Sequence, residues 1–190
     1  MVSLQVSLTP FSQVHARDPN YCAWLNDSHI LRYLGRPTYH GGVTPKICED
    51  YFKEVAEDEN ITFFAVLLND REFIGTAKLR KIPTAGSHTG VADAGLMIGS
   101  RRYWGLGIGS KVVSLLSEVA FQTLGLRKLV GGMYAGNLAC VKAFLNSGFH
   151  EEGRLLAHLW DPQLERFDDL VLMGLLKKDF VAFQSSLPTR

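Results

Sequence analysis

Leu96–Lys111, LMIGSRRYWGLGIGSK, carries an apolar run into an amphipathic one through Gly99, Gly105, Gly107 and Gly109. The run before it, Val91–Ile98, reads as a strand, and Ile108, Val112, Leu115, Leu116, Val119 and Phe121 after it keep helical spacing up to Leu124. Glycine lets the chain take unusual dihedrals and lets a ligand approach without a Cβ in the way. The first turn of the following helix offers unpaired N–H groups and the positive end of a dipole, which together suit a phosphate. Arg101, Arg102 and Lys111 add local positive charge. A tight strand-to-helix turn with no ligand would use the same glycines. A Walker A loop is excluded, because the order here is Gly109-Ser110-Lys111. A dinucleotide fingerprint needs a third glycine where Ser110 stands and an acid at the end of the next strand, and Arg127–Met133 has none.

Outward from this turn, strands and helices alternate irregularly. Val2–Leu8, Ile61–Leu68 and Glu72–Lys81 read as strands, the last two joined at Asn69-Asp70 as a hairpin. Asp18–Leu34 fits two short helices, the first with Asp18 as N-cap and Pro19 at N1, and Thr44 with Pro45 opens a longer one. Lys128–Met133 is a short strand, Asn137–Ser147 a helix ended by Gly148, and Phe149–Trp160 and Phe167–Leu176 the last strands. One domain over 4–180 is expected, with a loosely ordered tail over 181–190. The 20 Lys and Arg against 19 Asp and Glu give a net charge of +1, which argues against a nucleic-acid partner. No apolar run approaches membrane-spanning length and no secretory leader is visible, so a cytoplasmic protein without a membrane partner is expected. Cys22, Cys48 and Cys140 form no CxxC pair, which speaks against a disulfide framework or a structural metal.

Arg102-Tyr103-Trp104-Gly105-Leu106-Gly107 resembles the Arg/Gln-x-x-Gly-x-Gly/Ala motif of the GNAT N-acetyltransferases. Its setting after an apolar strand and at the head of a helix agrees. So does Asn137-Leu138-Ala139-Cys140 with Phe144 to Phe149, which is similar to the family's Asn-x-x-Ser followed by a helix ending in Gly-Phe. Tyr21–Leu34, Glu151–Arg154 and Phe167-Asp168-Asp169 resemble the branch containing the ribosomal-protein alanine N-acetyltransferases. The resemblance implies an α/β fold (α+β in some schemes) with a mixed, mostly antiparallel sheet, two splayed parallel strands and flanking helices. It implies acetyl-CoA as co-substrate, with no metal. Main-chain groups around Met97 and Ile98 would hold the pantetheine arm. The amides of Arg102, Trp104, Gly105, Leu106, Gly107, Ile108, Gly109 and Ser110 would hold the pyrophosphate, and Asn137 would contact the pantetheine or thiol side.

The implied reaction is direct attack of a neutral primary amine on the thioester, which calls for a base, oxyanion donors and, less urgently, an acid. Many relatives carry Tyr where this chain has Phe144, so that acid is missing. Cys140 and Tyr134 are the substitutes, each equally readable as a packing residue. Asp93 is the first choice of base and His158 the second, with structural roles open for both. Trp24, Asn26, Arg32, Tyr33 and Tyr39 are expected to line the amine pocket, Arg32 as a fork for an acceptor phosphate or carboxylate. A protein N-terminus, a nucleotide-linked aminosugar and a small amine are all admitted as acceptors. A non-catalytic acetyl-CoA-binding module is the alternative reading. A strand edge at the late hairpin could mediate a homodimer.

Overall fold

The computed structural model describes residues 4–34, 41–83 and 90–186. Seven strands form one sheet: β1 (Val6–Pro10), β2 (Ile61–Leu68), β3 (Glu72–Lys81), β4 (Val91–Ile98), β5 (Lys128–Tyr134), β6 (His150–Asp161) and β7 (Arg166–Leu176), in the order β1-β2-β3-β4-β5-β7-β6. Every neighbouring pair is antiparallel except β4 with β5. Asn69 and Asp70 sit at φ 51 and 57, the left-handed pair that a tight hairpin between β2 and β3 requires.

Among the described residues, seven α-helices flank the sheet. α1 (Gln13–Ala16), α2 (Pro19–Trp24), α3 (Ser28–Leu31) and α4 (Pro45–Glu57) cover one face; α5 (Ile108–Glu118), α6 (Leu138–Leu145) and α7 (Lys177–Ser186) cover the other. The caps follow the sequence. Asp18 accepts from the Asn20 amide at 2.8 Å, and Thr44 from that of Ile47 at 3.4 Å. α5 widens into a π-helical turn over Val119–Thr123, and Gly125, at φ 64, ends it.

The larger core lies between the sheet and α5, where Ile74, Leu79, Val112, Leu116 and Leu129 are fully buried. The smaller core lies under α1 to α4 and contains Tyr21, Ile30, Cys48, Ala65 and Met97. Two elements depart from expectation. α1 is a single turn, too short for periodicity to reveal. α7 runs past residue 180 to Ser186, so the segment read as a loose tail is helical as far as it is described. Phe180 stacks at 5.1 Å on Phe121 and Phe183 covers Gly148, contacts that no local pattern announces.

Candidate active site

β4 and β5 pair only from Val91–Lys128 to Asp93–Val130, yet β4 continues to Ile98 and β5 to Tyr134. A gap therefore opens in the middle of the sheet. On the β5 side Gly131 leaves room for the Phe144 ring, whose Cε1 would stand 2.6 Å from a Cβ there. On the β4 side the Gly99 amide donates to the Ile74 carbonyl of β3 at 2.9 Å. Antiparallel main-chain groups alternate direction residue by residue. Met97 thus turns its amide and carbonyl to β3, and Leu96 and Ile98 turn theirs to the gap. The expectation for Met97 is corrected accordingly. Its side chain is 8% exposed in the smaller core, and Leu96 takes its place at the open edge. The Ile98 carbonyl accepts from the Trp104 indole at 2.7 Å. The Leu96 pair and the Ile98 amide are left for an amide-bearing chain such as pantetheine.

At the outer end of the gap, Gly105 and Gly107 both stand at φ 75, and nothing lies within 4 Å of where either Cβ would be. Gly107 is the N-cap of α5 and has no side chain to cap it. The first intrahelical bond is Lys111 N–H to the Gly107 carbonyl at 3.3 Å, so the amides of Ile108, Gly109 and Ser110 precede it unpaired within the helix. Open space and a row of amides at a positive dipole end fit a pyrophosphate. Gly109 serves a second purpose: its Cβ would lie 3.3 Å from that of Ala143, which lets α5 approach α6. The cations gathered by sequence are committed elsewhere. Arg102 pairs with Glu72, which also accepts from Tyr103 at 2.7 Å; Arg101 reaches Asp27 at 3.6 Å; and Lys111 donates to the Leu4 carbonyl at 2.7 Å. The cradle's positive character therefore comes chiefly from the main chain.

The gap belongs to a cleft of about 1080 Å³ that passes through the sheet. Its far side, under α2 to α4, is walled by Ile30, Tyr33, Leu34, Tyr51, Phe63 and Tyr134. The β3–β4 register puts Asp93 on this face, opposite Arg80 and in the row next to Lys78 and Gly95. Burial raises the Asp93 carboxyl above its ordinary value, and Lys78 and Arg80 oppose that only in part. Asp93 is the one carboxylate among the described residues lining the cleft.

The residues expected in the amine pocket divide. Tyr33 lines it, edge-on to Tyr134 at 5.4 Å. Asn26 instead ties down Val43, donating to its carbonyl and accepting from its amide at 2.8 Å each. Trp24 lies flat against Gly99 and 5.1 Å from Phe73. Tyr39 falls outside the described residues. Arg32 holds no ligand here: its Nε donates to both oxygens of Asp161 at 3.0 Å, and Nη2 donates to Oδ2 at 2.6 Å. Asp161 is 1% exposed and also accepts from the amides of Gln163 and Leu164, so the pair clasps α3 to the β6–β7 turn. Arg32→Ala would strand a buried carboxylate at a cost of roughly 3 kcal/mol. We expect a lower melting temperature, a raised KM for the amine and an unchanged KM for acetyl-CoA. Arg32→Lys would not rescue, because the fork is lost.

The acid candidates are similarly sorted. The Tyr134 hydroxyl donates to the Trp160 carbonyl at 3.2 Å, and Phe144, 2% exposed, is core. Asn137 caps α6, accepting from the Cys140 amide at 3.2 Å, which leaves its Nδ2 as a donor at the cleft. Burial pushes the Cys140 thiol up to about 11. An ordinary cysteine thiol sits at ~8.5, so burial makes Cys140 a poorer proton donor to a departing thiolate than a solvated thiol is. Cys140→Ala is expected to change kcat by less than about threefold. His158 is exposed on the bulge between Leu155 and Leu159, where Ala157 is at φ 48, and is not among the cleft residues.

A mixed sheet split between its one parallel pair, with a glycine cradle at the mouth, makes a cleft shaped for a long phosphorylated cofactor. Residues 6–150 match the acetyltransferase (GNAT) domain, and the chain belongs to that family. It is an acetyl-CoA-dependent N-acetyltransferase. It is 27% identical over 141 residues, 68% of this chain and 67% of the relative, to aminoglycoside N(6')-acetyltransferase type 1 of Klebsiella pneumoniae. It is 29% identical over 104 residues, 55% of this chain and 56% of the relative, to the probable N-acetyltransferase YjcK of Bacillus subtilis. The fold matches spermidine N-acetyltransferase from Vibrio cholerae, solved with CoA and spermine (TM-score 0.79, 20% identity, 93% and 98% of the two chains). It also matches aminoglycoside acetyltransferase AAC(6')-Ib, solved with coenzyme A and kanamycin (TM-score 0.75, 21% identity, 95% and 99%). Three of these four are named for aminoglycosides or spermidine, and none is named for a ribosomal protein. Among the described residues no helix is long and apolar enough to cross a membrane, and no cluster of side chains is placed to hold a metal ion.

Proposed function

We propose that this N-acetyltransferase takes a small primary amine as acceptor, admitted from the α2 to α4 side of the gap, with Asp93 as its base. The observation that carries the reading is the placement of Asp93: a half-buried carboxylate with a raised pKa, on the acceptor face, where β4 and β5 begin to part. Acetyl-CoA supplies the thioester that the amine attacks. The open Leu96 and Ile98 main chain orients the pantetheine arm, and the amides of residues 108–110 hold the phosphates. N–H donors at this edge are placed to stabilise charge on the thioester oxygen, an effect commonly worth about 3 kcal/mol for one donor. Leu96 lies three residues, roughly 10 Å, along β4 from Asp93. The proton therefore reaches the carboxylate through water, and the raised pKa of Asp93 makes it a better base than an exposed carboxylate.

Small size is supported by the aromatic walls that narrow the acceptor side, Tyr33 against Tyr134 and Tyr51 against Phe63 at 5.9 Å. β6 is an outer strand of the sheet, and exposed Trp160 on it, paired with exposed Phe167 on β7, supports a homodimer through this hairpin. The test is thiol release from acetyl-CoA across amines, aminosugars and peptides. Release with small amines is expected. Release with peptides alone would return the acceptor to a protein N-terminus, and binding without release would favour the non-catalytic module.

A further inference from the structure

Few charged side chains surround the acceptor side of the gap among the described residues. Among the described residues lining the cleft, the charged or readily charged side chains are Asp93, Lys78, Lys142 and His29. Lys142 is on α6 and belongs to the coenzyme side, and Lys78 stands in the row next to Asp93 on the acceptor face. Three carboxylates of the neighbouring elements are already engaged. Asp161 is held by Arg32, Asp27 by Arg101 at 3.6 Å, and Asp168 accepts from the Gly136 amide at 2.7 Å. The stretches 35–40 (GRPTYH) and 84–89 (TAGSHT) contain no Asp or Glu.

A polycation brings several ammonium groups, and each must find an anionic or hydrogen-bonding partner when it leaves water. Among the described residues lining the cleft one carboxylate is offered, and Lys78 in the next row repels a second ammonium. The rest of the acceptor-side wall, His29 and Thr76 apart, is apolar or aromatic, which favours burial of a flat or hydrocarbon body. We propose that the acceptor is a primary monoamine with an aromatic or apolar body, and that polyamines and aminoglycosides are disfavoured. This rests on the transferase reading above.

The test compares kcat/KM by thiol release for tyramine and phenethylamine with that for spermidine and kanamycin, using the full chain. The monoamines are expected to exceed both polycations by at least about tenfold. Equal or higher kcat/KM for either polycation overturns the proposal. No release from any of the four, with acetyl-CoA still bound by calorimetry, overturns the small-amine reading above and the proposal with it. Lys78→Glu separates charge from shape, because it gives the acceptor face a second carboxylate. The spermidine-to-tyramine ratio should rise at least about tenfold. A taking of the ratio between two substrates of one variant cancels any effect on Asp93 itself. An unchanged ratio in a folded variant contradicts selection by charge.

Discussion

Asp93→Asn is expected to lower kcat/KM for the acceptor by about 10²–10⁴-fold, the range of a general base, and to leave the Kd for acetyl-CoA within about twofold. The amide is close in size to the carboxylate, so the cleft keeps its shape. The pH profile gives the sharper signature. Wild-type kcat/KM should rise as Asp93 loses its proton, with a midpoint above the ~3.9 of a free carboxylate because burial favours the neutral form. That limb should vanish in the variant. Stability should move the other way. A carboxyl whose folded pKa is raised contributes fully below its unfolded pKa, and that contribution is lost as pH rises through the folded value. At pH 7 ionised Asp93 therefore destabilises the fold, and Asp93→Asn should melt higher than wild type. The difference should disappear at acidic pH, where both side chains are neutral. A lower melting temperature at pH 7 would mean that Asp93 is held by partners that favour its charge.

Gly107→Val should abolish detectable acetyl-CoA binding, a loss of at least about 100-fold. Two effects act together. Residue 107 sits at φ 75, a region that costs a non-glycine residue on the order of 1 kcal/mol and a β-branched one more. The new side chain would also enter the open space that the turn keeps in front of the α5 amides. Gly107→Asn separates the two, because Asn tolerates the left-handed region. Strain alone predicts near-normal stability and binding for Asn, whereas obstruction of the cradle predicts near-normal stability with weakened binding. Gly109→Ala acts differently, since its Cβ meets Ala143 rather than the cradle. It should disturb the α5–α6 contact and lower the melting temperature more than the affinity.

Much of this site could be read from the chain because the signals are local. The limits of β2, β3 and β4 follow from apolar, β-branched and aromatic runs and from the Asn69-Asp70 turn, and the cradle follows from glycines at fixed offsets before a helical period. The parity of β4 was not legible. Whether Met97 or Leu96 faces the gap depends on the register with β3, and a slip of one residue exchanges them. The Arg32–Asp161 clasp joins positions 129 apart in sequence, so no local pattern tells a clasp from an acceptor fork. The cations near the cradle looked like phosphate ligands because their partners, Glu72, Asp27 and the Leu4 carbonyl, lie on other elements. α7 carries no local signal for the same reason, its two phenylalanines gaining meaning only against Phe121 and Gly148.

The most direct test is to follow thiol release and N-acetyl product together, with acetyl-CoA and a small primary amine, for the wild type and Asp93→Asn. The structure predicts one acetylated amine per thiol released by the wild type and almost none by the variant at equal acetyl-CoA occupancy. Tight acetyl-CoA binding with no amine-dependent release, or equal rates from both proteins, would contradict it.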